Sequence, residues 1–331
     1  MNRTSLWFTA PHCLEVRAEA LDPPRAGEAL VQTVCSAISP GTEMLIYRGE
    51  FPHAMRVDDS IGALSGQLEY PLRYGYSTVG RVVELGAGVD ADWRDRLVFS
   101  FQPHTSHFTA PLAELHPLPD NLAPETAVFL PNMESAVNFL LDGAPLLGER
   151  VAVFGQGVVG LLTTALLARL PLAALVTFDK IALRREWSQR LGAHFPKDLT
   201  GFSDLSGLDV DLAYELTGSP AALDDAIAAT GFGGRIVVGS WYGEKRHAVD
   251  LGGKFHRARQ RLISSQVSSL TPDLLARWTK ARRLEVAWRM LAEVQPAQLI
   301  THRFPLAEAS RAYQLIDQCS HEALQVIFIY E

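Results

Sequence analysis

Arg150-Val151-Ala152-Val153-Phe154-Gly155-Gln156-Gly157-Val158-Val159-Gly160 is the stretch on which the reading of this 331-residue chain turns. Its first five residues form an apolar run fit for a buried parallel strand, a glycine-rich turn follows, and Leu161 to Leu170 continues as helix. Each glycine has its own physical reason to be there. Gly155 makes the tight turn, Gly157 lets backbone approach a diphosphate, and Gly160 lets helix touch strand. A helix beginning near Gln156 offers its first N–H groups, through Val158 and Val159, and the positive end of its dipole to that diphosphate. Asp179 lies 24 residues after Gly155, at the end of the next strand, where a carboxylate accepts from both adenosine ribose hydroxyls.

Downstream, the alternation repeats. Ala173 to Phe178 reads as strand, Ala182 to Leu191 as helix stopped by Gly192, Val210 to Leu216 as strand, Ala221 to Ala229 as helix and Arg235 to Gly239 as strand. One α/β, doubly wound, Rossmann dinucleotide-binding domain over 134–269 accounts for them all. Upstream, Leu30 to Val34, Ser77 to Leu85 and Asp95 to Phe101 are short strands between turn signals, which suggests a small β-rich domain. After Ser268 the clearest pieces are helical, Asp273 to Thr279 and Leu284 to Glu293, and Ala323 to Tyr330 closes as a strand. The nucleotide domain is by then complete, so that strand is expected to pair in the first domain, making it discontinuous over 1–133 and 270–331.

Composition narrows the function. Hydrophobic residues at 47% and charged residues at 20% describe an ordinary globular chain of about two domains. The 30 Lys and Arg against 37 Asp and Glu give a net charge of −7, the wrong sign for neutralising nucleic-acid phosphates. Cys13, Cys35 and Cys319 are too few and too scattered for a disulfide scaffold or a four-cysteine zinc lobe. Arg169 and Pro171 interrupt the most apolar stretch, so no membrane span is expected, and nothing at Met1 to Trp7 marks secretion; a cytoplasmic protein with a small-molecule substrate is the expectation.

The order β domain, nucleotide domain, return to the β domain resembles the medium-chain dehydrogenase/reductase superfamily. The resemblance rests on Ser36-Ala37-Ile38-Ser39-Pro40-Gly41-Thr42-Glu43, Tyr74 to Val82, Glu215-Leu216-Thr217-Gly218, Gly233 to Gly239 and Thr301 to Leu306. It implies a GroES-like catalytic domain beside the Rossmann domain. The Ile-Ser-Pro-Gly-Thr-Glu turn is similar to that of a bacteriochlorophyllide dehydrogenase-like, zinc-free subgroup. In the zinc enzymes of the superfamily the catalytic metal is held by a Cys, a His and a third ligand; the matching positions here hold Ser39 or Pro40, Tyr76, and Pro131 or Asn132. Those side chains do not make the N/S site that zinc prefers, so no zinc is expected.

A hydride transfer without a Lewis acid needs hydrogen-bond donors on the reacting oxygen. By the resemblance Thr42 and Tyr76 are candidate proton carriers, and His53 is another. A phenol, with a pKa of about 10, gives a proton to a ketone more readily than it takes one from an alcohol. Glu43, Tyr47, His104, His107 and Glu134 are candidates for the substrate pocket, with Phe51, Tyr70, Tyr74, Phe108 and Trp241 as aromatic lining. Ser135, Thr217, Gly218, Gly239, Ser240 and Trp241 are placed at the nicotinamide by the resemblance, which also implies a homodimer joined near Leu262 to Gln266; Arg257, Arg259 and Arg261 precede that strand. Asp179 favours NAD over NADP, although Lys180, Arg184 and Arg185 beside it keep NADP open. The expected activity is a zinc-independent hydride transfer between nicotinamide and a secondary alcohol or ketone, bulky substrates included. The alternatives are an enone or quinone reductase, and a catalytically silent dinucleotide-binding protein.

Overall fold

The chain divides into two units, Met1–Pro131 with Gln295–Glu331, and Asn132–Val294; the computed structural model describes residues 1–52, 56, 61–64, 66–198 and 205–330. In the first unit β1 (Asn2–Ala10) and β2 (Cys13–Ala20) form an antiparallel ribbon. β3 (Glu28–Ala37) is the spine of a larger sheet, antiparallel to both β4 (Thr78–Leu85) and β6 (His107–Pro111), while β5 (Leu97–Ser100) and the two-residue β7 (His116–Pro117) extend it beyond β4. Alternate residues of these strands, Ala29, Val31, Val82, Val98, Phe108 and Ala110, fill one core. Between β3 and β4 the chain turns through α1 (Pro40–Arg48), which begins with Pro40 at a position where no N–H is missed and carries Glu43 in its first turn. A short α2 (Pro124–Ala127) follows the strands.

α3 (Leu130–Gly143) leads into the second unit. Its strands are β8 (Arg150–Phe154), β9 (Ala174–Phe178), β10 (Phe195–Lys197), β11 (Val210–Glu215), β12 (Thr230–Val238) and β13 (Arg261–Ser264), all parallel in the order β10-β9-β8-β11-β12-β13. Because successive side chains point to opposite faces, β8 sends Val151 and Val153 to a core shared with Phe139 and Leu167, and Ala152 and Phe154 to one shared with Ala226 and Ile227. α4 (Val158–Leu167), α5 (Ala182–Arg190), α6 (Ala222–Ala229) and α7 (Lys280–Val294) complete the unit.

The second unit extends to Val294, so the expected return at residue 270 is displaced to Gln295. Segment 270–294 stays in the nucleotide unit because Arg283 of α7, 2% exposed, is bound there by Glu134 and Asn138 of α3 and by the carbonyls of Val267 and Ser269. The helix expected from Asp273 is only a short turn, Pro272–Leu274.

The closing segment rejoins the first unit as β14 (Ile300–Pro305), α8 (Ala309–Gln318) and β15 (Gln325–Ile329). β15 pairs antiparallel with β3 and β14 lies parallel on β15, giving the order β14-β15-β3-β4-β5-β7 with β6 on β3. Among the described residues no helix is long and apolar enough to cross a membrane.

Several aromatic residues expected in a pocket are core instead: Tyr47, Phe51, Tyr74 and Phe108 are at most 5% exposed. Tyr47 packs on Tyr313 of α8, ring centroids 5.3 Å apart, and Tyr70 is tied by its hydroxyl to the Ile46 carbonyl.

Candidate functional site

At the carboxyl end of β8 the three glycines separate into two kinds. Gly155 has a φ of +89°, and a side chain there would lie 2.6 Å from the Leu216 carbonyl oxygen; at Gly160 it would lie 2.0 Å from that of Gly155. Both are required by the protein's own packing. Gly157 is not: a Cβ there meets nothing within 4 Å. Gly157 is the N-cap of α4, no side chain caps that end, and no acidic residue occupies its first turn. The first N–H groups of a helix lack intrahelical partners, so the open face over Gly157 is a cradle for a phosphate.

Asp179, 9% exposed, ends β9 beside this turn. One carboxylate oxygen accepts from the Gln156 amide at 2.7 Å and the other from the Ile181 amide at 2.9 Å, which leaves each with acceptor capacity for a hydroxyl. The Arg184 guanidinium lies 3.8 Å from the same carboxylate, Arg185 donates to the carbonyls of Asp179 and Lys180, and Lys180 is exposed. The Gln156 side chain does not face the cradle. It is fully buried, with its amide nitrogen 3.1 Å from the Gly155 oxygen and its amide oxygen accepting from Thr164. Val158 is also buried, so at both positions only backbone faces the cradle.

The turns after β11 and β12 are joined by a residue that the sequence reading passed over. Glu215, fully buried, accepts from the Thr217 amide at 2.7 Å, from the Thr217 hydroxyl at 2.5 Å and from the Tyr242 hydroxyl at 2.5 Å. Ser240 accepts from the Gly218 amide at 2.9 Å. Burial and the adjacent Glu215 carboxylate push the Tyr242 phenol far above its ordinary range, so it stays a donor. The signal in the sequence was an acidic residue closing the apolar run Leu212-Ala213-Tyr214. Gly239 and Trp241 are half-buried on the same connection, and Ser135 is half-buried on α3. Glu134, expected at the substrate pocket, is the partner of Arg283 at 2.9 Å, and burial raises its carboxyl against the pull of that guanidinium. Arg257, Arg259 and Arg261 are exposed.

In the first unit the turn at the start of α1 gathers a polar cluster. The Tyr76 hydroxyl lies 2.5 Å from Ser39 Oγ and 3.3 Å from Thr42 Oγ1. Glu43, wholly buried, fixes that turn from below: Oε1 accepts from the Ser39 amide at 2.7 Å, while Oε2 takes the Tyr313 hydroxyl and lies 2.9 Å from His104 Nε2. His104 Nδ1 is 2.7 Å from Ser36 Oγ, which is 2.8 Å from the Tyr330 hydroxyl. Burial and the Glu43 charge hold the Tyr313 phenol well above its ordinary range. Glu43 and His104 are thus supports rather than pocket walls, as both are fully buried. His107, expected at the substrate pocket, is half-buried on β6 with its Nδ1 3.1 Å from the hydroxyl of the adjacent Ser106. His53 falls outside the described residues. Nothing in the sequence marked Ser36, Tyr313 and Tyr330 as members of this cluster, because their partners are far away in the chain.

Among the described residues, no group of three or more His, Cys, Asp and Glu side chains is arranged to hold a metal. Ser39 and Tyr76, which the resemblance sets at zinc-ligand positions, are hydrogen-bonded to each other.

No family model matches the chain. It is 27% identical over 340 residues to the 2-desacetyl-2-hydroxyethyl bacteriochlorophyllide A dehydrogenase of Cereibacter sphaeroides, covering 95% of this chain and 94% of that protein. It is also 27% identical over 208 residues to the sorbitol dehydrogenase of Macaca fascicularis, covering 60% of this chain, and spans only 54% of that enzyme's length. An alcohol dehydrogenase of Escherichia coli CFT073 complexed with NADH superposes with a TM-score of 0.79 over 99% of both chains, at 19% identity, a likeness of fold. With a β-rich unit, a parallel six-stranded unit opened by a glycine turn, and relatives of this kind, the chain has the fold of the medium-chain dehydrogenase/reductase superfamily and is similar to its members in sequence.

Proposed function

We propose that this protein is a zinc-independent oxidoreductase that transfers a hydride between a nicotinamide dinucleotide, NAD(H) ahead of NADP(H), and a secondary alcohol or ketone. The observation that carries the reading is the Tyr76 phenol held by Ser39 and Thr42, with Tyr76 and Ser39 at positions where the resemblance puts zinc ligands. The residues of the second unit fit the dinucleotide: the open face of Gly157 and the uncapped α4 terminus suit its diphosphate, and the Asp179 carboxylate suits its adenosine ribose. When bound, the dinucleotide supplies or takes the hydride.

The protein's own part is the proton. As a ketone oxygen gains negative charge, the Tyr76 hydroxyl donates to it, and the hydroxyls of Ser39 and Thr42 turn their hydrogens onto the phenol oxygen as its proton leaves. Glu43 holds the Ser39 amide, so the acceptor beside Tyr76 keeps its place. Hydroxyl oxygens are poor zinc ligands next to thiolate or imidazole, and this donor set does not fit the metal. The relative matched along nearly the whole chain is named for a hydroxyethyl-bearing bacteriochlorophyllide, which supports an alcohol on a bulky substrate. For assembly we propose a homodimer through the edge strand β13, which among the described residues pairs only with β12 and leaves Leu262 exposed; light scattering giving the monomer mass would remove it.

The test is oxidation of NADH and NADPH against a panel of ketones, enones and quinones, with and without a chelator. Turnover with ketones that survives chelation is expected. Turnover with enones or quinones alone assigns the chain to C=C or quinone reduction, loss on chelation overturns the metal-free chemistry, and tight dinucleotide binding with no turnover makes the protein a silent binder.

A further inference from the structure

Glu215 is a buried charge with no evident part in moving either the hydride or the proton. Burying a carboxylate is costly unless its oxygens are well supplied with donors, and here three donors end on it: the Thr217 amide, the Thr217 hydroxyl and the Tyr242 hydroxyl. Thr217 follows β11 and Tyr242 follows β12, so one carboxylate ties together the turns after two neighbouring strands. Ser240 adds a second tie, accepting from the Gly218 amide and donating to the Glu215 carbonyl at 3.4 Å. Thr217 is exposed, yet its hydroxyl is turned inward onto the carboxylate rather than to water.

The sheet order says what such a clasp serves. In a doubly wound sheet the ligand lies beyond the carboxyl ends of the strands, where the strand order reverses. With the order β10-β9-β8-β11-β12-β13 that point falls between β8 and β11. The glycine turn and the Thr217 turn meet there, since a side chain on Gly155 would lie 2.8 Å from Thr217 Cα. Asp179 stands on the β9 side of the diphosphate cradle, so the other nucleoside of a dinucleotide must extend over the ends of β11 and β12.

We propose that Glu215 is a positioning residue for the pyridine-ring half of the dinucleotide: it freezes the 217–218 and 239–242 backbone into the surface on which that ring and its carboxamide rest. This rests on the dinucleotide reading above. Charge-assisted hydrogen bonds are shorter and stronger than neutral ones, and a surface held by three of them is ordered before the ligand arrives, which lowers the entropic cost of ordering it on binding.

The experiment compares two probes, NADH and ADP-ribose, the latter with both phosphates and the adenosine but no pyridine ring. Binding is measured for the intact protein and for Glu215→Ala, Glu215→Gln and Tyr242→Phe. Glu215→Ala should weaken NADH on the order of tenfold or more, the loss of one or more charge-assisted bonds, while ADP-ribose stays within about twofold. Tyr242→Phe, which removes one of the three bonds and keeps the charge, should weaken NADH less and leave ADP-ribose unchanged, and Glu215→Gln should fall between the two. Parallel loss of both probes in Tyr242→Phe, or in a folded Glu215→Ala, would mean that the clasp only supports the fold; unchanged NADH affinity in Tyr242→Phe and in both Glu215 variants overturns the inference equally. If the intact protein binds neither probe, the dinucleotide reading itself falls, an outcome distinct from a selective failure at Glu215.

Discussion

Gly157 and Gly160 differ in purpose although they stand only three residues apart. A methyl at 160 would stand 2.0 Å from a backbone oxygen, whereas at 157 it would stand in open space with an ordinary φ of −66°. Gly160→Ala should therefore cost the fold at least about 1–3 kcal/mol, seen as a drop in Tm of several degrees. Gly157→Ala should leave Tm unchanged and weaken NADH binding about tenfold or more, because its methyl occupies the phosphate approach. An equal effect of both on Tm would remove the argument for a phosphate over Gly157. Tyr76 makes a second contrast. Its ring packs edge-on against Tyr74 at 6.1 Å, which phenylalanine preserves, while the hydroxyl alone reaches Ser39 and Thr42. Tyr76→Phe should lower kcat by roughly 10²–10⁴ with NADH affinity unchanged; a kcat near that of the parent would place the proton donor elsewhere.

Among the elements, α7 shows most clearly what a sequence carries and what it conceals. Arg283, Ala287, Leu291 and Val294 recur at helical spacing and are all buried, so an arginine on the apolar stripe was legible as a charge needing a partner. The partner was not, because Glu134 lies 149 residues away and only the fold brings it near. Arg283→Ala strands that carboxylate and should cost about 3–5 kcal/mol in urea unfolding; replacing both partners by apolar residues of similar size should recover much of it. A loss below ~1 kcal/mol would mean that water reaches the pair. β6 and β7 carry a different dependence. Burial depresses the His107 and His116 imidazoles below their ordinary value of about 6.5. The unfolded chain then binds protons that the folded chain refuses, so stability is full above about pH 6.5 and declines as pH falls from there through the depressed values. Unfolding midpoints of the intact protein and of a His107→Gln, His116→Gln double variant should diverge as intact protein loses stability below that pH; parallel curves would show that neither imidazole is shielded.

At the scale of the whole molecule, the nucleotide unit was the more legible because its signals are local. The run from Arg150 to Gly160 contains strand, turn and helix start within eleven residues, whereas the first unit is assembled from pairs such as Glu43 and His104, 61 residues apart, and Ser36 and Tyr330, 294 apart. Spacing cannot report contacts of that range, which is why Glu43 and His104 read as pocket residues and stand as buried supports. The same division bears on what binding does to the chain as a whole. A ligand that binds only the folded state stabilises it by RT ln(1 + [L]/Kd), about 2.7 kcal/mol at a hundredfold excess over Kd, worth roughly 5–10 °C in Tm for a unit of this size. NADH should give such a shift, and Gly157→Ala should lose it at the same concentration. A chelator should give none, since three scattered cysteines cannot build a four-cysteine lobe and the cluster at Tyr76 offers zinc only hydroxyls. Were prolonged dialysis against a chelator to lower Tm, and zinc alone to restore it, a metal would be part of the folded state, and the proton chemistry assigned to Tyr76 would have to be rebuilt around it.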